Sequence, residues 1–313
     1  MGEFLNAMSA VFVIFLIMMV GYLLGHLGWL TASEKRFISL YVVNIAVPIN
    51  CIVGMLGNFS RAQLMGAGVM ILTGMSVVFL GLVLGGIAAT ALKLPQKRWG
   101  VFVAMAGISN TMFIGLPLTQ QLFGEVSLPA MMTYFLASSI FTQSAGVMLV
   151  ERAGGKSQSK RSVVGFVIDL LKKPPVLGII ASILMLLLDV RPPKLLMDAA
   201  QYISNTVTPL ALIYCGYILY EVGLKNLKPM YGHGWLLLIR LVIAPLICVG
   251  MCAVTGITGL TREVFIVMSA LPVVAQVTVM AGAYGADEEY AAIGTSLSML
   301  GIFITIPILM TIL

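Results

Sequence analysis

Residues 107–124 read "GISNTMFIGLPLTQQLFG", a run that a continuous lipid-facing helix has little reason to contain. Ser109, Asn110 and Thr111 stand together between the apolar "RWGVFVAMA" (98–106) and "LTQQLF" (118–123), and Gly115 and Pro117 follow. Proline has no N–H, and its ring crowds the carbonyl four residues earlier, so Pro117 frees that of Phe113. An unpaired backbone group is costly in hydrocarbon and survives only where protein or a water-lined cavity receives it. The stretch therefore predicts an interrupted helix whose break lines a polar site.

The rest of the chain supplies the hydrocarbon. Of 313 residues 60% are hydrophobic and 10% charged, with a mean hydropathy of +1.05. A soluble domain carries roughly 25% charged residues, so this inventory cannot clothe a water-facing surface. The net charge of +6 fits basic loops at a membrane better than a nucleic-acid partner. Cys51, Cys215, Cys248 and Cys252 all fall in apolar segments and suggest neither a disulfide framework nor a metal site. No cofactor is expected. The N-terminal "MGEFLNAMSAVFVIFLIMMVGYLL" lacks a basic n-region and is taken as the first span.

Apolar segments recur at about 4–27, 37–56, 64–92, 98–122, 127–150, 174–189, 195–220, 231–256, 263–284 and 289–312, against the 17–25 residues or so that cross a bilayer. They predict an all-α polytopic membrane protein of ten transmembrane helices. Lys and Arg concentrate in the loops after the odd-numbered spans, which places those loops in the cytoplasm. Both termini would then lie outside a plasma or inner membrane, and the 151–174 connection inside. The chain also repeats itself: "YVVNIAVP" (41–48) returns as "YISNTVTP" (202–209), pairing Asn44 with Asn205 and Pro48 with Pro209. Phe123-Gly124 maps onto Tyr284-Gly285 at the same offset. The halves are residues 1–152 and 174–313, joined by a loop at 153–173. An odd number of spans per half inverts the second copy, as in many secondary transporters.

Span 9 has its own proline, Pro272, with Gln276 and Thr278 beyond it. Two broken helices crossing near the midplane would present helix N-termini, which favour anions. Ser109, Asn110, Thr111 and Gln276 are the candidate substrate contacts; Gly115, Pro117 and Pro272 are the candidate break points. Asn44, Pro48, Asn205 and Pro209 form kinks that support the site or touch substrate. Arg240 lies inside span 8, where an arginine is costly and faces an interior or aqueous cavity. It either attracts the anion, anchors freed carbonyls or snorkels toward the interface. Gln143, Ser138, Ser139, Thr295, Ser296 and Ser298 either line the cavity or join helices. His26 and His233 lie near span ends and suggest interfacial positions. No Asp or Glu lies deep in a span, which argues against a carboxylate-based proton antiporter. No nucleophile–base pair or acidic dyad suggests an enzyme.

"SNTMFIGLPLTQQLFG" (109–124) and "ALPVVAQVTVMAGAYG" (270–285) resemble the fourth- and ninth-span signatures of the plant PIN auxin exporters. The chain is identified as similar to bacterial-type members of the auxin efflux carrier family over its whole length. The resemblance implies a scaffold of spans 1, 2, 6 and 7, a transport unit of spans 3–5 and 8–10, a homodimer and an elevator movement. It also implies that Asn110 is the site asparagine, Pro272 the crossover proline, and malate- or malonate-like carboxylates the cargo. The chain departs from plant members with Ser109 where they place proline, with no acid in "NFSRAQ" (58–63), and with Val273-Val274 after the crossover proline. The expected function is a secondary transporter of a small organic anion. A sodium-coupled symporter of the bile-acid type and a non-transporting membrane sensor or complex subunit stay open beside it.

Overall fold

The computed structural model describes residues 2–58, 60–61, 66–155, 168, 171–172, 174–223 and 228–313. Most of the 153–173 connection, and residues 59, 62 and 63 of "NFSRAQ" (58–63), lie outside the described residues. All regular structure among those described is helical, with one isolated antiparallel bridge between Ser109 and Val273. The α-helices are α1 (Gly2–His26), α2 (Ala32–Tyr41), α3 (Val47–Asn58), α4 (Gly68–Ala91), α5 (Gln96–Gly107), α6 (Leu116–Phe123), α7 (Leu128–Phe141) and α8 (Val147–Ala153). There follow α9 (Pro174–Leu187), α10 (Lys194–Ser204), α11 (Val207–Val222), α12 (His233–Leu238), α13 (Ala244–Thr255), α14 (Gly259–Ser269), α15 (Gln276–Tyr284) and α16 (Glu288–Ile312). Among the described residues five continuous stretches are long and apolar enough to cross a membrane: Ala32–Gly57, Gly68–Ala91, Leu128–Ala153, His233–Thr255 and Glu288–Ile312. Shorter apolar helices accompany them at Phe15–His26, Val176–Leu187 and Leu212–Val222.

Helix is what this composition demands, because a helix satisfies its own N–H and C=O groups where water cannot. The hydroxyls follow the same logic. Thr73, Ser76, Thr90, Thr133, Thr142, Ser144 and Ser182 each donate to the carbonyl four residues earlier, so their oxygens need no distant partner.

Prolines shape the helices in a way the sequence did not indicate. π-helical turns occupy Val42–Ala46, Thr111–Gly115, Thr142–Gly146 and Ile239–Ile243; Pro48, Pro117 and Pro245 follow two residues beyond three of them, and the turn at Thr142–Gly146 has no such proline. Widening the turn gives the pyrrolidine ring room against the preceding carbonyls, so the helix continues instead of breaking. This corrects the expectation that Gly115 and Pro117 interrupt span 4. The chain leaves the helix earlier, at 108–110.

Helices approach closely where glycine removes the side chain. A Cβ on Gly216 of α11 would lie 1.7 Å from the Met18 carbonyl oxygen of α1, and one on Gly21 would lie 2.0 Å from that of Ile213. On Gly178 of α9 it would meet Pro48 of α3 at 2.6 Å. A second group joins α4, α5 and α8 through Gly81 on Gly107, Gly85 on Ala106 and Gly100 on Leu149. At the start of α16, Asp287 accepts the N–H of Tyr290 at 2.9 Å and pairs with Arg98 at 2.7 Å. His233 is buried, not interfacial. Its Nδ1 accepts the N–H of Met230, so Nε2 carries the proton and donates to the Tyr290 carbonyl at 3.1 Å.

Candidate functional site

Two helices are interrupted and meet at their interruptions. α5 ends at Gly107, residues 108–110 run without helical geometry, and helix resumes at Thr111 as a π turn that leads into α6. α14 ends at Ser269, and α15 resumes at Gln276. Between them the two chains pair like a minimal antiparallel ladder. The Asn110 N–H donates to the Pro272 carbonyl at 2.8 Å, and Val274 N–H to that of Ile108 at 3.5 Å. The Val273 N–H donates to the Ser298 hydroxyl at 3.0 Å, and that hydroxyl donates to the Thr295 carbonyl. Backbone groups freed in one segment are thus received by the other, which is the condition for irregular chain at membrane depth.

Asn110 holds the first interruption in place. Its Oδ1 accepts the Phe113 N–H at 3.2 Å and caps the resuming helix, while its carbonyl accepts the N–H of Gly115 at 3.0 Å across the π turn. An asparagine oxygen is among the favoured N-cap groups. Its Nδ2 finds no partner, although the residue is 1% exposed. Buried polar nitrogens in this state are rare and call for an explanation.

A cavity of about 60 Å³ opens at that point, lined by Ser109, Asn110, Thr111, Phe135, Ser139, Thr142, Gln143 and Gln276 among others. Among the described residues no acidic or basic side chain lines it. Its polar character comes from amides, hydroxyls and the starts of the two resuming helices. Gln143 Nε2 reaches Gln276 Oε1 at 3.4 Å across it. Among the described residues no group of three or more His, Cys, Asp and Glu is placed to hold a metal.

The sequence candidates divide on this geometry. Ser109, Asn110, Thr111 and Gln276 come together on the cavity, and Pro272 stands at the crossing. Gly115 packs away from it, where a Cβ would lie 2.7 Å from Leu271. Pro117 faces a separate cleft of about 810 Å³ with Asn205 and Pro209. Asn44 is exposed and donates to its own helix at Leu40, while Asn205 accepts from Gln201. Pro48 backs onto Gly178. Arg240 is not among the residues that line the cavity. It is 1% exposed and donates to the carbonyls of Ala106 at 3.0 Å and of Ser269. Of the readings left open for it, the geometry corrects substrate contact to carbonyl anchor, because helix C-termini offer the partners that a cation in an apolar interior needs.

Ser139 and Gln143, for which the sequence leaves cavity lining and helix joining open, line the cavity with Phe135, and so does Thr142, which the sequence reading does not single out. Their signal was present as a helical stripe, since residues three and four apart share a face. Two larger clefts flank the assembly. The one with Pro117 is lined by uncharged groups such as Asn50, Gln120, Gln121 and Gln201. The other, of about 880 Å³, carries Lys35, Glu221, Lys228, Glu288 and Glu289.

Comparison with known proteins bears on this arrangement. An uncharacterized transporter of Methanocaldococcus jannaschii is 24% identical over 303 residues, which cover 91% of this chain and 92% of its own. An uncharacterized transporter of Methanothermobacter thermautotrophicus is 26% identical over 275 residues, 86% of each chain. The family described as membrane transport protein matches residues 6–310, so the interrupted helices and everything packed around them lie inside the match. On that extent, the chain belongs to the membrane transport protein family, which includes the auxin efflux carriers.

Proposed function

We propose that this member of the family is a secondary transporter that carries a small organic anion, of the carboxylate type, across the cell membrane. One observation carries the reading: Asn110, whose buried Nδ2 has no partner, lines a cavity to which no described charged side chain contributes, beside the start of a helix. A helix start carries roughly half a positive charge and unpaired N–H groups. An anion there would gain an amide donor and a favourable field without meeting a carboxylate.

On this reading the interrupted helices are spans 4 and 9 of ten, in two inverted five-span repeats. Their ends support it: α6 stops at Phe123 and α15 at Tyr284, the interval that separates Tyr41 from Tyr202. Each is followed by a glycine at positive φ, Gly124 at 71° and Gly285 at 81°, where other residues are strained. The close contacts of α1 with α11 and of α3 with α9 fit a scaffold of spans 1, 2, 6 and 7. Those of α4 with α5 and of α5 with α8 fit a separate transport unit that moves as an elevator. The protein works as a homodimer, with both termini outside and the 151–174 connection in the cytoplasm.

Flux in liposomes tests the proposal. Purified protein is reconstituted and uptake of labelled small carboxylates is followed under imposed pH and sodium gradients, without ATP. Saturable uptake that unlabelled carboxylates compete away is the expected result. Absolute dependence on sodium would transfer the protein to the bile-acid type of symport. Carboxylate binding with no flux would make it a sensor or subunit and end the transporter reading.

A further inference from the structure

We propose that Arg240 is a positioning residue that ties together the C-terminal ends of both incoming half-helices and thereby sets the charge of the crossing. The proposal rests on the anion reading above and deepens it.

Arg240 sits in the π turn Ile239–Ile243 and is buried. Its Nη1 donates to the Ala106 carbonyl at 3.0 Å and its Nη2 to the Ser269 carbonyl. Ala106 lies in the last turn of α5, and Ser269 ends α14. These are carbonyls that a helix leaves without intrahelical partners at its C-terminus. The salt bridges among the described residues are Lys35–Glu221 and Arg98–Asp287, so no described carboxylate neutralises Arg240. The two helix ends do so instead. Each carries about half a negative charge, and together they balance one guanidinium.

The consequence concerns the opposite ends. At the crossing two C-termini meet two N-termini, and unaided their dipole charges would oppose one another. With Arg240 on the C-termini, the starts of the resuming helices near Asn110 and Gln276 keep about one positive charge between them. The crossing is thereby matched to one negative charge. The planar guanidinium holds the two carbonyls on separate nitrogens in one fixed geometry; a lysine ammonium supplies the charge and three donors, but from a single rotating nitrogen that fixes the two helix ends less firmly.

The test uses the full chain with R240Q and R240K. Thermal stabilisation by acetate, propionate and butyrate is titrated beside that of their primary amides, and hydrogen exchange is read over 104–115 and 266–278. The wild type prefers each carboxylate to its amide. R240Q loses at least tenfold of that preference, and R240K restores most of it while exchange at the two helix ends stays faster than in the wild type. An unaltered preference in R240Q, or equal weakening of carboxylate and amide in both variants, overturns the proposal. Should the wild type show no preference for carboxylates, the anion reading fails and exchange decides the clamp. Faster exchange in both windows in the variants supports it, and unchanged exchange refutes it.

Discussion

Replacing Asn110 with alanine separates a binding residue from a structural cap, because the two halves of its amide have different duties. Its Oδ1 caps the resuming helix through the Phe113 N–H at 3.2 Å, and losing an asparagine cap costs about 1 kcal/mol. Its Nδ2 is buried without a partner. Such a group costs roughly 1–3 kcal/mol while it stays unpaired, and the substitution removes it. The two effects offset in part, so the ligand-free Asn110→Ala protein should lie between unchanged and about 2 kcal/mol more stable. The liganded protein behaves differently. A hydrogen bond to a charged acceptor contributes about 1.5–3 kcal/mol, and each 1.4 kcal/mol is tenfold in affinity. Carboxylate affinity should fall by roughly ten- to a hundredfold. Ligand stabilises by mass action, so thermal melts with and without carboxylate report both quantities on one sample. If the ligand-free variant loses more than about 2 kcal/mol while the ligand-induced shift survives, Asn110 is only a cap and the reasoning fails.

Four further outcomes are expected. Gly216→Ala drives a Cβ into the Met18 backbone and should destabilise by about 3 kcal/mol, the upper end for overpacking; Gly57→Ala, with open space around it, should be neutral, and equal melting of the two would discredit the α1–α11 contact. A double-mutant cycle on Arg98 and Asp287, joined at 2.7 Å but partly exposed, should give a coupling of about 1 kcal/mol or less that weakens with salt; coupling of several kcal/mol would refute a solvent-screened pair. The four cysteines are buried and free, so a membrane-impermeant maleimide should label none before denaturation. In a cysteine-free background, single cysteines at the exposed Gln121 and Arg36 should then be labelled from outside and inside respectively, and labelling from the same side would overturn the assigned orientation.

The order of apolar segments, the spacing of the repeated motif and the candidacy of Asn110, Thr111, Gln276 and Pro272 are all legible in the sequence itself. Each of the ten predicted segments is at least partly helical where it is described. The reason is local: in an apolar medium the backbone must bond to itself within the segment, and composition alone imposes that. Caps and π turns belong to the same local order, although the turns ahead of Pro48, Pro117 and Pro245 show that proline signals strain without dictating how it is relieved. Three decisions belonged to the tertiary structure. The helix is interrupted at 108–110 and not at Pro117 because partners for the freed groups, the Pro272 carbonyl above all, wait there across the crossing. Arg240 turns to Ala106 and Ser269 because two distant helices end beside it. Ser139, Thr142 and Gln143 reach the cavity because packing selects which face of α7 and the turn after it is presented. A local pattern can say that a polar group must find a partner; only the assembled chain decides which one.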